Sequence, residues 1–122
     1  MKLLVALLVC HYLADFCLTW PALIQSKGDG KNLFPIAQHS TIHTILMGVC
    51  LLFYGTDLKL LFLLMAFEWV SHFFIDTMKT RLSLAKPLLA DSRRKPYWML
   101  YGLDQLLHQM VVVVIWYFST SQ

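Results

Sequence analysis

The sequence predicts an all-α integral membrane protein, a four-helix bundle with both longer loops on the cytoplasmic side. Three observations carry that reading. Of 122 residues, 58% are hydrophobic and 14% charged, whereas an average soluble domain is roughly a quarter charged. The apolar residues gather into four stretches, each of the length needed to cross a hydrocarbon core of about 30 Å. Inside those stretches, ionisable residues recur in pairs four positions apart, the spacing that puts two side chains on one face of a helix.

The chain has the length of one domain, spanning residues 1–122. The first span covers about residues 3–20 and is ended by Pro21. Its Met1-Lys2 start resembles a signal peptide, but no small-x-small cleavage site precedes Tyr12, so a retained span is expected. The second covers about residues 35–54, with Pro35 suited to a first helical turn and Gly55-Thr56-Asp57 forming a tight turn after it. The third covers about residues 58–78 and the fourth about 97–118, just after Pro96. Trp20, Phe34, Tyr54, Tyr97, Trp98, Trp116 and Tyr117 fall near span ends, as in an aromatic belt. Between the third and fourth spans, Leu82, Leu84, Leu88 and Leu89 alternate with basic residues. That pattern suits either a segment lying on the membrane surface or a solvated connector.

Basic residues set the orientation. Lys27, Lys31, Lys79, Arg81, Lys86, Arg93, Arg94 and Lys95 load the two longer loops, and only Lys2 and Lys59 lie on the other side. The positive-inside rule then puts the loops in the cytoplasm and both termini outside, as for a multi-pass protein of a bacterial inner membrane. A net charge of +3 without a basic stripe excludes nucleic acid as a partner. Cys10, Cys17 and Cys50 lie in apolar stretches without a C-x-x-C pair and read as small core residues.

The pairs are His11 with Asp15, His39 with His43, Glu68 with His72 and Asp76, and Asp104 with His108; they include every histidine of the chain. They fall late, early, late and early in successive spans. Because spans alternate in direction, all then reach one level in the cytoplasmic half of the bilayer, at depths of about 3–15 Å. Ionisable groups at such depth are costly and mark functional sites. Imidazole and carboxylate together suit zinc, iron, manganese or nickel. His11, Asp15, His39, His43, His72, Asp76, Asp104 and His108 are the expected metal ligands, for one or two divalent ions with zinc foremost. Glu68, one turn deeper, suits a general base or a group that orients a ligand. A lone histidine in a span is more often hydrogen-bonded packing, and polar contacts can tie spans together, but such ties do not need nine ionisable groups. A proton relay is the main alternative, and a bis-histidine haem would leave the carboxylates without a role. Gln105 and Gln109 can hydrogen-bond within the last pair, and Gly48 and Gly102 can allow close helix approach. Trp69, Phe73 and Phe74 read as packing or lipid-facing.

His11 to Phe16, His39 to His43, Ser71 to Lys79 and Leu103 to His108 form four motifs, HYLADF, HSTIH, SHFFIDTMK and LDQLLH. In this order they resemble the small bacterial and phage membrane proteins catalogued as domain of unknown function 3307. The resemblance covers most of the chain and implies a compact helical membrane protein without an established activity. The arrangement is also loosely similar to membrane-embedded metal-dependent hydrolases with histidine and acidic residues on several spans.

The expected function is a membrane-embedded, divalent-metal-binding hydrolase acting near the cytoplasmic headgroups. Arg93, Arg94 or Lys95 would attract a lipid phosphate. The alternatives are a metal-ion or proton transporter, or a non-catalytic membrane module with a structural His/Asp site. A homo-oligomer is compatible with so small a bundle, although no G-x-x-x-G motif is present.

Overall fold

The computed structural model describes residues 1–19 and 32–121. The expectations for Trp20, Pro21, Lys27 and Lys31 fall outside the described residues. Among the described residues the structure is entirely helical. Helix α1 is Lys2–Tyr12, followed without a break by a π-helical turn, Leu13–Cys17. Helix α2 is Phe34–Phe53, α3 is Leu58–Ala85, α4 is the single turn Pro87–Ala90, and α5 is Lys95–Thr120.

Local chemistry sets the ends. Pro35, Pro87 and Pro96 occupy the first turns of α2, α4 and α5, where a missing N–H costs nothing. Asp57 caps α3 by accepting from the amides of Lys59 and Leu60 at 3.0 and 3.3 Å. Gly55, at φ 78°, supplies the left-handed residue between α2 and α3. The basic segment after Met78 is not a plain connector: α3 continues to Ala85, and α4 leads directly to the start of α5 at Lys95.

Helices α2, α3 and α5, of 20, 28 and 26 residues, are long and apolar enough to cross a membrane. The first helical segment is shorter. Its 11 α-helical and 5 π-helical residues reach about 24 Å at α-helical rise. The surface matches a lipid surround: Phe53, Phe62, Leu63, Val70, Phe74 and Leu106 are all more than half exposed, while His43, Glu68 and His72 are at most 2% exposed. Polar inside and apolar outside is the reverse of a protein built for water.

Helix α1 packs on α2 and α5, and α3 packs on the same two, so the contacts close a ring. Successive long helices run in opposite directions, and the interior divides into two halves. One half is apolar: Leu3, Leu7, Met47, Leu51, Leu61, Leu64, Val112 and Ile115 form one buried cluster. The other half holds the histidines and carboxylates. The Met65 side chain of α3 fills the space beside Gly48, where a Cβ would lie 2.7 Å from its Sδ, whereas at Gly102 a Cβ would meet nothing within 4 Å. Of the two, only Gly48 lies against a facing side chain. Trp69 Nε1 donates to Thr41 Oγ1 at 3.0 Å, a further α2–α3 tie, and its ring stacks at 5.3 Å on Phe73 of the same helix. All three cysteines are free; Cys10 and Cys50 are half-buried, but Cys17 is exposed rather than in the core.

Overpacking a filled side-chain contact costs about 1–3 kcal/mol. Gly48→Leu is therefore expected to lower the unfolding temperature in detergent, with Gly102→Leu close to wild type. Equal shifts for the two variants would contradict the Gly48–Met65 contact described.

Candidate metal centre

The π turn shapes the site. The amide of Leu18 bonds the carbonyl of Leu13 at 2.9 Å, closing a wider i→i+5 ring. Thr19 Oγ1 donates to the Ala14 carbonyl at 2.8 Å, satisfying a backbone acceptor at the end of the turn. Asp15 sits in the middle of this turn and faces inward. Its Oδ1 lies 3.1 Å from Nε2 of both His39 and His43. Its Oδ2 lies 3.4 Å from His11 Nε2 and accepts from Gln105 Nε2 at 3.2 Å. One carboxylate thus joins α1, α2 and α5.

Around it, the five imidazoles form one cluster. The His43 and His72 rings are 3.9 Å apart, His72 and His108 4.2 Å, His39 and His43 4.6 Å, and His11 and His43 4.7 Å. Glu68 Oε1 lies 3.5 Å from His72 Nδ1, and Asp76 Oδ2 lies 3.9 Å from Nε2 of both His72 and His39. The 1.5 Å rise and alternating direction anticipated from sequence bring all these groups to one level.

Among the described residues, three sets present ligand atoms within 4.8 Å of one another: His11, His43, Glu68 and His72; Asp15, His39, His43 and His72; and His72, Asp76 and His108. Of the nine residues singled out in the sequence, eight belong to these sets. Asp104 does not. Lys79 Nζ donates to its Oδ2 at 2.6 Å. Its backbone carbonyl lies 2.8 Å from His108 Nδ1. That bond, with Nδ1–H donating, leaves the His108 Nε2 lone pair directed at the cluster, as when a ligand's other nitrogen is held by a backbone carbonyl.

The donors fit a cation by what they lack. Both ring nitrogens of His11 and of His72, Nδ1 of His43, Nε2 of His108 and Oε2 of Glu68 are buried without a hydrogen-bond partner. Buried polar atoms are otherwise paired almost without exception. Thr19 Oγ1, with its proton on Ala14, lies 3.4 Å from His39 Nδ1 and can accept that nitrogen's proton. A neutral His39 would then face the Asp15 carboxylate with a lone pair, an arrangement that a nearby cation relieves.

A cavity of about 420 Å³ opens beside the cluster, lined by Asp15, His39, Asp76 and His108 together with Lys79 and Tyr101. Glu68, His43 and His72 do not line it. The Lys79 ammonium also lies 4.9 Å from the centre of the Tyr101 ring. Lys79 closes the SHFFIDTMK motif but was given no role in the sequence beyond a loop charge; its position seven residues after His72 and three after Asp76 on α3, one helical face, was the signal for its role. Gln105 joins the last pair as anticipated, bonding Asp15 and reaching Asp104 Oδ2 at 3.5 Å. Arg93, Arg94 and Lys95 line a separate surface concavity with Asp91, to which both arginines are paired.

Residues 3–122 match the model of a family described as a protein of unknown function, DUF3307. The chain belongs to the DUF3307 family. No curated protein and no solved structure matches it. The four motifs quoted above are therefore the parts of this DUF3307 chain that build the cluster: HYLADF supplies the π turn, HSTIH and SHFFIDTMK the facing α2 and α3 donors, and LDQLLH the α5 wall.

Removing one partner of a buried ion pair strands the other's charge. Lys79 is about a third exposed, so the cost falls below that of a fully buried pair, to about 1–3 kcal/mol. Lys79→Met is expected to lower thermal stability in detergent by that amount, and Lys79→Met combined with Asp104→Asn to recover part of it. A double variant no better than the single one would show that the pair does not hold the α3–α5 contact.

Proposed function

We propose that this protein is a membrane-embedded metal-dependent hydrolase, with four membrane crossings and its centre in the cytoplasmic half of the bilayer. The observation that carries it is the cluster of unpartnered imidazole nitrogens on α1, α2, α3 and α5, interleaved with carboxylates, beside a cavity. His11, His43, His72 and His108, with Glu68 and Asp76, would hold the metal, zinc being the expected ion. A divalent cation bound there supplies Lewis-acid polarisation of a phosphoryl or carbonyl oxygen and lowers the pKa of water.

The chain's own groups have distinct tasks. Glu68, given the base role on sequence grounds, lies among three histidines and away from the cavity wall, which favours a ligand role for it. Asp15 does line the cavity, and its carboxylate is the better-placed acceptor for a proton from water. Lys79, anchored by Asp104, presents its ammonium to the same cavity and would position an anionic group. The eight-to-two bias of basic residues toward the longer loops supports a cytoplasmic placement, which would bring the cavity close to lipid phosphates and esters. The buried apolar cluster occupying the other half disfavours a transport path, since among the described residues no buried ionisable group continues through it.

Purified protein is expected to carry stoichiometric divalent metal by elemental analysis, lost in a His43→Ala, His72→Ala variant. Vesicles of phosphatidylethanolamine and phosphatidylglycerol are expected to yield hydrolysis products with the metal-loaded protein. The yield should drop by about a hundredfold or more in Asp15→Asn, the scale of a general-base contribution. Wild-type protein without stoichiometric metal would end the proposal. Metal binding with no turnover, together with strong destabilisation by a chelator, would instead identify a structural site.

A further inference from the structure

An imidazole has two nitrogens on opposite sides of its ring. In most buried histidines one is spent on a hydrogen bond and the other binds or rests. His108 follows that pattern, with Nδ1 on the Asp104 carbonyl. His72 does not. It is 1% exposed, and neither of its nitrogens has a hydrogen-bond partner. Each nitrogen nevertheless faces a different carboxylate: Nδ1 is 3.5 Å from Glu68 Oε1, and Nε2 is 3.9 Å from Asp76 Oδ2.

Two of the three donor sets divide along the same line. His11, His43 and Glu68 gather with His72 on one side; Asp76 and His108 gather with it on the other. His72 is the one residue these two sets share. We propose that His72 bridges two divalent cations, an inner one held by His11, His43, Glu68 and His72 Nδ1, and an outer one, at the cavity, held by His72 Nε2, Asp76 and His108. This rests on the metal-centre reading above and specifies its nuclearity. The outer set offers three protein donors and lines the cavity through Asp76 and His108, leaving a position for substrate or water, as catalytic sites do; the inner set offers four and lies away from the cavity, as closed structural sites do.

The proton is accounted for. A neutral imidazole carries one N–H proton. Binding through both nitrogens forms two metal–nitrogen bonds and releases that proton to water. The Lys79 ammonium answers the Asp104 carboxylate. The imidazolate and the carboxylates of Glu68 and Asp76 then supply anionic donors to both cations. Asp15 then keeps its hydrogen-bond contacts to His43 and Gln105 and does not need to bind a metal directly.

The test uses the full chain in detergent, loaded with copper(II) and freed of excess ion. Two copper ions per chain are expected by elemental analysis, with an electron paramagnetic resonance signal much weaker than that metal content because the bridged ions couple magnetically. Glu68→Gln and Asp76→Asn should each bind one ion and show a full, uncoupled signal, and His72→Ala should abolish coupling. One ion per wild-type chain would overturn the bridge while leaving a metal centre intact. Two ions without coupling, or coupling that survives His72→Ala, would also overturn it. No stoichiometric copper would remove the metal-centre reading itself.

Discussion

A buried ionisable group in an apolar surround has only its neighbours to answer its charge. That constraint organises this molecule. Lipid chains are as apolar as a leucine core, so hydrophobic burial does not decide which face of a membrane helix turns inward. Here Leu3 and Leu7 are buried while Val5 and Val9 of the same helix are half exposed; their chemistry hardly differs. What separates the faces is the ionisable set. His11 and Asp15 fix the rotation of the first helical segment, His39 and His43 that of α2, Glu68, His72 and Asp76 that of α3, and Asp104 and His108 that of α5. The apolar half then packs in the register that the polar half imposes, and dispersion contacts consolidate it.

The π turn at Leu13–Cys17 shows the same constraint acting on the backbone. An ordinary α-helix through Asp15 would carry the pair His11–Asp15 on one face, but it would close each backbone bond four residues back. The wider turn moves the chain off that path, and the Asp15 carboxylate ends beside two α2 histidines and an α5 glutamine. Such turns concentrate at functional sites because they re-aim a side chain at the expense of regular bonding. Thr19, returning its hydroxyl to the Ala14 carbonyl, repairs part of that loss.

Much of this was legible in the sequence. Apolar stretches and prolines at helix starts marked the helices, and the late-early alternation of charged pairs placed them at one level before any coordinates. Residues whose role depends on departures from regular geometry were not legible. Nothing in LADFC announces a π turn, since the motif is compatible with a plain helix. Lys79 read as a loop charge because the span was ended at Met78, the length of a hydrocarbon core; the helix runs seven residues further, and that extra length carries Lys79 to Asp104. Asp104 looked equivalent to the other acids because i, i+4 spacing reports a shared face and says nothing of which atom a neighbour will claim. Glu68, set apart in the sequence by its extra depth, was misjudged for the reverse reason: its companions His11 and His43 lie on other helices.

Protons could in principle balance the carboxylates in place of cations, and the geometry weighs against it. Compensating Asp15 and Glu68 by protonation of histidine puts charged rings into one tight cluster. The His72 ring has neighbours at 3.9, 4.2 and 5.2 Å, so a charged His72 would lie beside any charged ring among those three. At about 4 Å, two unit charges repel by about 4 kcal/mol even at an effective dielectric of 20. Protonated rings would also turn every bare nitrogen into a donor, yet His11 and His72 have no acceptor in hydrogen-bonding geometry at either nitrogen. A cation between the rings reverses both terms: it replaces ring-to-ring repulsion by attraction to each lone pair, and it uses nitrogens as the acceptors they are placed to be. The carboxylates alternate with the rings as they must if positive charge resides between the side chains and not on them.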